Sequence, residues 1–250
     1  MYSNKIKKIA IFFLTMLSIS GNLMAQEVET KKMTNKGKFF VYWGWNRGTY
    51  STSDIHFKGV NYDFTLSDVT ANDRPTKFGL NPYFKLDAIT IPQTNYRIGY
   101  FFKENYTISI GADHMKYVMN ANQTVKINGT INTGGAFDNT YTNENIVLMP
   151  EFLEFEHTDG LNYVNVELKR FDDISHVFGF EKENFQINIT EGIGAGILFP
   201  KTNTTLLGKE RYDEFHVAGW GISAGVGLNF TIYKHFFIQS DFKVGYIDMS

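Results

Sequence analysis

From Val217 to Tyr233 the chain alternates small and large residues without interruption. Gly219, Gly221, Ser223, Gly225, Gly227, Asn229 and Thr231 occupy one parity; Trp220, Ile222, Ala224, Val226, Leu228, Phe230 and Ile232 occupy the other. A helix of 3.6-residue period does not sort small from large in this way, so these 17 uncharged residues predict a strand and not a membrane helix. The same two-residue period appears in KENYTISI (103–110) and KENFQINI (182–189), where a polar Lys-Glu-Asn turn launches each strand. Tyr106, Ile108 and Ile110 oppose Thr107, Ser109 and Gly111; Phe185, Ile187 and Ile189 oppose Gln186, Asn188 and Thr190. A weaker third copy, YKHFFIQSDF, sets Phe236 and Ile238 against Phe237, Gln239 and Asp241. Repeated strands with one apolar and one polar face, joined by short turns, predict an antiparallel sheet built from hairpins.

Seven such strands are legible, at about 38–46, 94–102, 106–118, 161–169, 185–199, 216–233 and 236–247. Alternation breaks around Phe171–His176, where a bulge or bend is expected. Between the strands lie short turns and three long connections, about 49–93, 120–158 and 200–215. DIHFKGVNYDFTL predicts a separate hairpin about Lys58-Gly59, and Asn128-Gly129 and Gly134-Gly135 mark turns. Both longer connections carry apolar residues at strand spacing, which predicts a folded cap in place of disordered loops.

Composition now changes the picture. Lys5, Lys7 and Lys8 precede an apolar run from Ile9 to Ile19, and Ala25 offers a cleavage site, so 1–25 reads as a signal peptide and 26–250 as one mature domain. The run is too short to span a bilayer as a helix. Its removal takes away three lysines and no acid, moving the formal charge from −2 to −5. A mildly acidic chain without a basic block predicts no nucleic-acid partner. The absence of cysteine excludes disulfides and thiolate metal sites. Aromatic residues make up 16% of the chain, yet its mean hydropathy is that of a soluble protein. An exported, aromatic-rich chain of strands that are apolar on alternate residues predicts an antiparallel up-and-down transmembrane β-barrel of a bacterial outer membrane. Such barrels have an even strand number and commonly end on a strand with a terminal aromatic, whereas this sequence stops at Ile247-Asp248-Met249-Ser250. The expectation is eight strands when complete: either the N-terminal region or a loop supplies the eighth, or, as the end of the seventh strand where an extracellular loop should begin favours, the sequence lacks its last strand.

With the large apolar faces toward lipid, parity assigns an interior. It holds Asn46, Thr107, Ser109, Asn165, Gln186, Asn188 and Asn229 together with Arg97, Lys169 and Lys243 against Asp113, Glu167 and Asp241. Three cations and three anions in a narrow barrel are expected to pair, since a lone ion away from water is costly. An eight-stranded interior is just filled by side chains, which disfavours a wide pore. Trp43, Trp45, Tyr96, Tyr100, Tyr106, Trp220 and Tyr246 are candidates for interfacial aromatic girdles. Glu191 falls on the apolar parity in mid-strand, and a bulge at Gly192 is one way to turn it aside.

Candidate chemistry is sparse. None of the six histidines (His56, His114, His157, His176, His216, His235) stands in a metal-binding spacing, and no cofactor or metal is expected. A lipid-modifying hydrolase or transferase needs a serine activated by a histidine and an acid. Asp113 and His114 stand side by side, but adjacent strand residues point to opposite faces, so one does not orient the other.

SDIHFKGVNYDFTLSDV (53–69), ITIPQTNYRIGYFFKENYTISIGADHMKYVM (89–119) and TEGIGAGILFPKT (190–202) resemble an uncharacterised family among the small eight-stranded outer-membrane barrels of Bacteroidetes-type Gram-negative bacteria. The resemblance covers most of residues 37–247. It implies an outer-membrane location and lipopolysaccharide and phospholipid as surroundings. It also implies periplasmic chaperones and the barrel-assembly machinery as partners during biogenesis, and it implies no reaction or ligand. The expected function is that of a non-enzymatic barrel, structural or surface-binding through its long extracellular loops. The lipid-modifying enzyme and a narrow solute pore are the alternatives.

Overall fold

The computed structural model describes residues 34–85, 92–179, 184–209 and 214–249. The proposed signal peptide lies outside the described residues, as does most of the turn before Phe185. Among the described residues there are thirteen strands: β1 Phe39–Trp45, β2 Ser53–Gly59, β3 Tyr62–Val69, β4 Ala71–Asn72, β5 Thr94–Lys103, β6 Tyr106–Met119, β7 Thr124–Ile131, β8 Asn139–Val147, β9 Leu153–Asp173, β10 Phe185–Pro200, β11 Asn203–Leu206, β12 Gly219–Ile232 and β13 Phe236–Met249. All pairings are antiparallel.

The seven strands legible in the sequence form one sheet in the order β1-β5-β6-β9-β10-β12-β13, curled strongly into a half-barrel. Two of its hairpins close tightly at one end. Glu104-Asn105 joins β5 to β6, and Tyr233–His235 joins β12 to β13, with Tyr233 and Lys234 at positive φ. Curling needs small residues on the concave side. A Cβ at Gly99 would strike the Phe40 ring, which lies across that position from the neighbouring strand. The long connections all leave from the opposite end.

There, β2-β3-β7-β8 form a second sheet, the cap. The expected hairpin is β2–β3, with its turn at Val60-Asn61, two residues beyond Lys58-Gly59. Asn128-Gly129 is not a turn. It lies inside β7, opposite a bulge of β8 at Thr142-Asn143, and Gly129 there has φ +131, where a Cβ would collide with the Asp63 carbonyl and Phe64 backbone. Gly134-Gly135 does turn the chain, locked by Asp138, whose carboxylate accepts from the Thr133 and Gly134 amides at 2.8 and 2.7 Å. Phe64, Leu66, Val125, Ile127 and Ile131 pack beneath the cap on Leu148, Phe152, Leu153 and Leu206. A smaller layer of Ala71, Tyr117, Leu161, Tyr163 and Leu198 separates this core from the half-barrel below.

Three local expectations differ from the structure. β9 runs in unbroken register with β10 as far as Asp173, and the bend comes only afterwards, as a 3-10 turn over Ser175–Phe178. β9 also starts at Leu153, eight residues above the expected Leu161, because its upper part pairs with β11 and supports the cap. Likewise no bulge occurs at Gly192, since Glu191 and Gly192 keep register with both neighbours.

Candidate functional site

The concave face of the half-barrel carries the densest cluster of charge. Arg97 rises from β5, Asp113 from β6, Glu167 and Lys169 from β9, and Asp241 and Lys243 from β13. Parity places all six on one side, and curvature brings β13 across to β6 and β9. Lys243 Nζ sits 2.8 Å from Glu167 Oε1 and 2.9 Å from Asp113 Oδ2. Lys169 Nζ lies 3.1 Å from Asp241 Oδ1 and 3.6 Å from Glu167 Oε2. Arg97 is 2% exposed and lies 3.5 Å from Glu167 and 3.7 Å from Asp113. Each cation touches two carboxylates or both oxygens of one, so the predicted three-against-three balance is realised as a single network.

Neutral groups complete it. Arg97 donates to Asn165 Oδ1 at 2.8 Å, Tyr42 OH at 3.2 Å and Ser109 Oγ at 3.3 Å. Asn165 in turn donates to Asp113 at 3.2 Å. Asp241 accepts from Gln239 at 2.7 Å. Toward the turn end a second tier joins Asn188, Asn229, Gln239 and Thr231 through amide and hydroxyl bonds. Buried ions that are paired and hydrogen-bonded from several sides escape most of the desolvation penalty. A cavity between Phe40, Tyr42, Arg97, Glu167 and Lys169 holds about 10 Å³, room for a single water. Sequence reasoning missed Tyr42 and Gln239, although their parity was readable.

The convex face is the reverse. Val41, Ile98, Ile108, Ile110, Val166, Leu168, Ile193, Ile197, Ile222 and Val226 are exposed on it. Aromatic rings gather at both ends. Trp43, Trp45, Tyr96, Trp220 and Tyr246 stand at the loop end, with Trp220 and Tyr246 6.0 Å apart. Phe39 and Tyr100 (4.8 Å), Phe102 and Tyr106 (6.3 Å), and Phe185 and Tyr233 (5.9 Å) pair toward the turn end. All seven girdle candidates therefore face outward. Glu191 also faces outward, and its partner is Arg170, directly across in register and 3.7 Å away, which holds Asp172 at 2.8 Å. This outward triad was not foreseen, though Arg170 and Asp172 share the parity of Leu168.

The remaining candidates are scattered. Asn46 donates to the His114 carbonyl at 3.1 Å, and the His114 ring meets Asn162 Oδ1 at 2.9 Å, while Asp113 belongs to the concave network. His56 and Lys58 flank Asp63 on the exposed face of the cap at 2.7 and 3.2 Å, holding its carboxyl below the ordinary carboxylate range, His56 most strongly. His157 is buried between Tyr117 and Phe155 with Nδ1 3.1 Å from Thr202 Oγ1, and burial, aided by the nearby His216, pushes it down to about 4. Among the described residues no group of three His, Asp or Glu side chains is placed to hold a metal. No described helix is long and apolar enough to cross a membrane, which has no bearing on a strand-built wall. Comparison with protein-family models, curated proteins and solved structures finds no match to this chain.

Proposed function

We propose that the chain is an integral outer-membrane β-barrel protein, exported through a cleaved signal peptide, non-enzymatic, with a plugged interior and a folded extracellular cap. The observation that carries this is the inverted polarity of the curled sheet. Paired ions and amides fill its concave side, while aliphatic residues edged by two tiers of aromatics cover its convex side. On β13 the aromatic tiers at Phe236 and Tyr246 are ten residues apart. At about 3.3 Å per residue and a tilt near 40°, ten residues cover about 25 Å along the membrane normal, the height of the apolar band of outer-membrane barrels. The spanning segments are then about 39–45, 94–103, 106–115, 161–171, 185–198, 219–232 and 236–247.

The ring is completed by an eighth strand. β1 and β13 are the edges of a seven-stranded antiparallel sheet and therefore run in the same direction, so one strand opposed to both closes it. Phe237 of β13 already reaches Phe40 and Tyr42 of β1, with ring centroids 6.2 Å apart in both cases. The cap, standing on β9 and β11 above the wall, is the surface that meets the exterior, within lipopolysaccharide and phospholipid. Insertion follows the route of such barrels, through periplasmic chaperones and the assembly machinery. The family resemblance drawn from residues 53–69, 89–119 and 190–202 is part of this reading.

The test of the plugged interior is conductance in planar bilayers. The expected result is no stable large conductance, because the ion network fills the cross-section; a stable large conductance contradicts it. Lipid A mass spectra with and without the protein are expected to be identical, and a lost or gained acyl chain establishes the enzymatic alternative instead.

A further inference from the structure

Segment 74–85, Arg-Pro-Thr-Lys-Phe-Gly-Leu-Asn-Pro-Tyr-Phe-Lys, presents its apolar side chains to the outside. Phe78 is 73% exposed, Leu80 79% and Phe84 57%. Large apolar groups do not gather at a water-facing surface without a use, and contiguous ones mark contact sites. The segment is also held in place. Tyr83 is buried, donates to the Thr76 carbonyl at 2.8 Å and accepts from Arg47 at 3.2 Å. Its ring stands 5.4 Å from Trp45 and 5.2 Å from Phe78, and Phe84 stands 5.5 Å from Trp45. Trp45 and Trp43, 4.6 Å apart, lie on the outward parity of β1. The exposed patch is therefore continuous with the convex apolar face, at its loop end. Charge complements this: the twelve residues contain Arg74, Lys77 and Lys85 and no acid, and Lys77 and Lys85 are exposed.

We propose that residues 74–85 are an interfacial anchor, with Phe78, Leu80 and Phe84 entering the outer leaflet beside Trp43 and Trp45 while Lys77 and Lys85 meet the phosphates of anionic lipid. The pattern of aromatic and aliphatic residues below a cationic fringe is that of segments lying in a membrane interface. It rests on the membrane reading of the wall and adds a contact outside the strands. The anchor fixes the height of the barrel and ties the base of the long 46–93 connection to the bilayer.

The chain has no cysteine, so single-cysteine variants of the full protein report one position each. Leu80→Cys (anchor), Ile193→Cys (convex wall) and Thr142→Cys (exposed cap) are labelled with an environment-sensitive fluorophore. Each is reconstituted in phosphatidylcholine–phosphatidylglycerol vesicles carrying a nitroxide at shallow or deep acyl positions. The anchor predicts strong shallow quenching at position 80, deep quenching at 193 and none at 142. Quenching at 193 without any at 80 overturns the anchor and leaves the wall reading standing. Absence of quenching at 193 overturns both. Replacing phosphatidylglycerol with phosphatidylcholine, or making Lys77→Gln with Lys85→Gln, should lower the inserted-to-free ratio at position 80 roughly fivefold for each lysine lost. An unchanged ratio overturns the anionic-lipid part.

Discussion

Two strands with the same alternation have opposite insides. In β6, Ile108 and Ile110 are 44% and 53% exposed while Ser109 between them is buried; in β3, Phe64 and Leu66 are 1% and 0% exposed while Asp63, Thr65 and Ser67 lie outward. The cap is folded as a water-soluble sheet, apolar side in. The wall is folded the other way round. Period-two alternation specifies a strand and two faces of different polarity, but the surrounding solvent decides which face is buried. The difference lies in what fills the polar parity. In the wall it holds glycines, buried amides and balanced ions that close on one another; in the cap it holds hydroxyls, amides and charges that face outward.

The largest effects should come from breaking either inside. Glu167→Ala takes from Arg97, Lys169 and Lys243 the one carboxylate that all three touch, and about 3–5 kcal/mol of stability should be lost in urea titrations of the folded protein. The double variant with Lys243→Met should cost less than the sum of the single changes, because each charge removed relieves the other. Phe64→Ala, in the cap core, should also cost about 3–5 kcal/mol through the cavity it leaves. Ile110→Ala, of the same chemical kind but facing outward on the wall, should cost under about 1 kcal/mol by the same measurement, because no packed core surrounds it.

A single introduced charge sharpens the contrast. Ile193→Lys, at the middle of β10 and 64% exposed, should cost about 2–4 kcal/mol if its surroundings are hydrocarbon. Thr130→Lys, exposed on β7 of the cap, should stay within about 0.5 kcal/mol. Equal small effects at both positions would mean that water bathes both.

A smaller effect depends on pH and belongs to the cap side. His157 titrates at about 4 when folded, because burial disfavours its charged form, against about 6.5 in an unfolded chain. Between those values the unfolded chain binds the additional proton, so stability is full above about pH 6.5 and is lost as pH falls toward 4. About 2 kcal/mol should disappear between pH 7 and pH 5. Thermal melts should show this slope in the native chain and lose it in His157→Phe.

Much of the wall was legible because each strand keeps its parity over seven or more residues, as from Trp220 to Ile232, and because the turns at 104–105 and 233–235 are short and polar. The six-ion network was legible for the same reason. Its pairings were not, since Lys243 and Asp113 are 130 residues apart and meet only through the curl of the sheet. Asn128-Gly129 misled because a glycine that permits a turn also permits a positive φ inside a strand, and here it packs on Phe64 within β7, opposite the bulge of β8. Glu191 was opaque because its answer, Arg170, lies on another strand at a register that sequence does not state. The cap core was visible as strand-like spacing but not as a second sheet, because β2–β3 and β7–β8 come together over some 60 residues of intervening chain.

The central claim is that the convex face of the wall meets lipid. Expression of the full chain in a Gram-negative host, followed by separation of periplasm, inner and outer membrane and alkaline extraction of each membrane, tests it directly. The protein should remain in the extracted outer-membrane pellet and migrate faster on gels when unheated than when boiled. Recovery of the mature protein as a soluble periplasmic species would contradict the account.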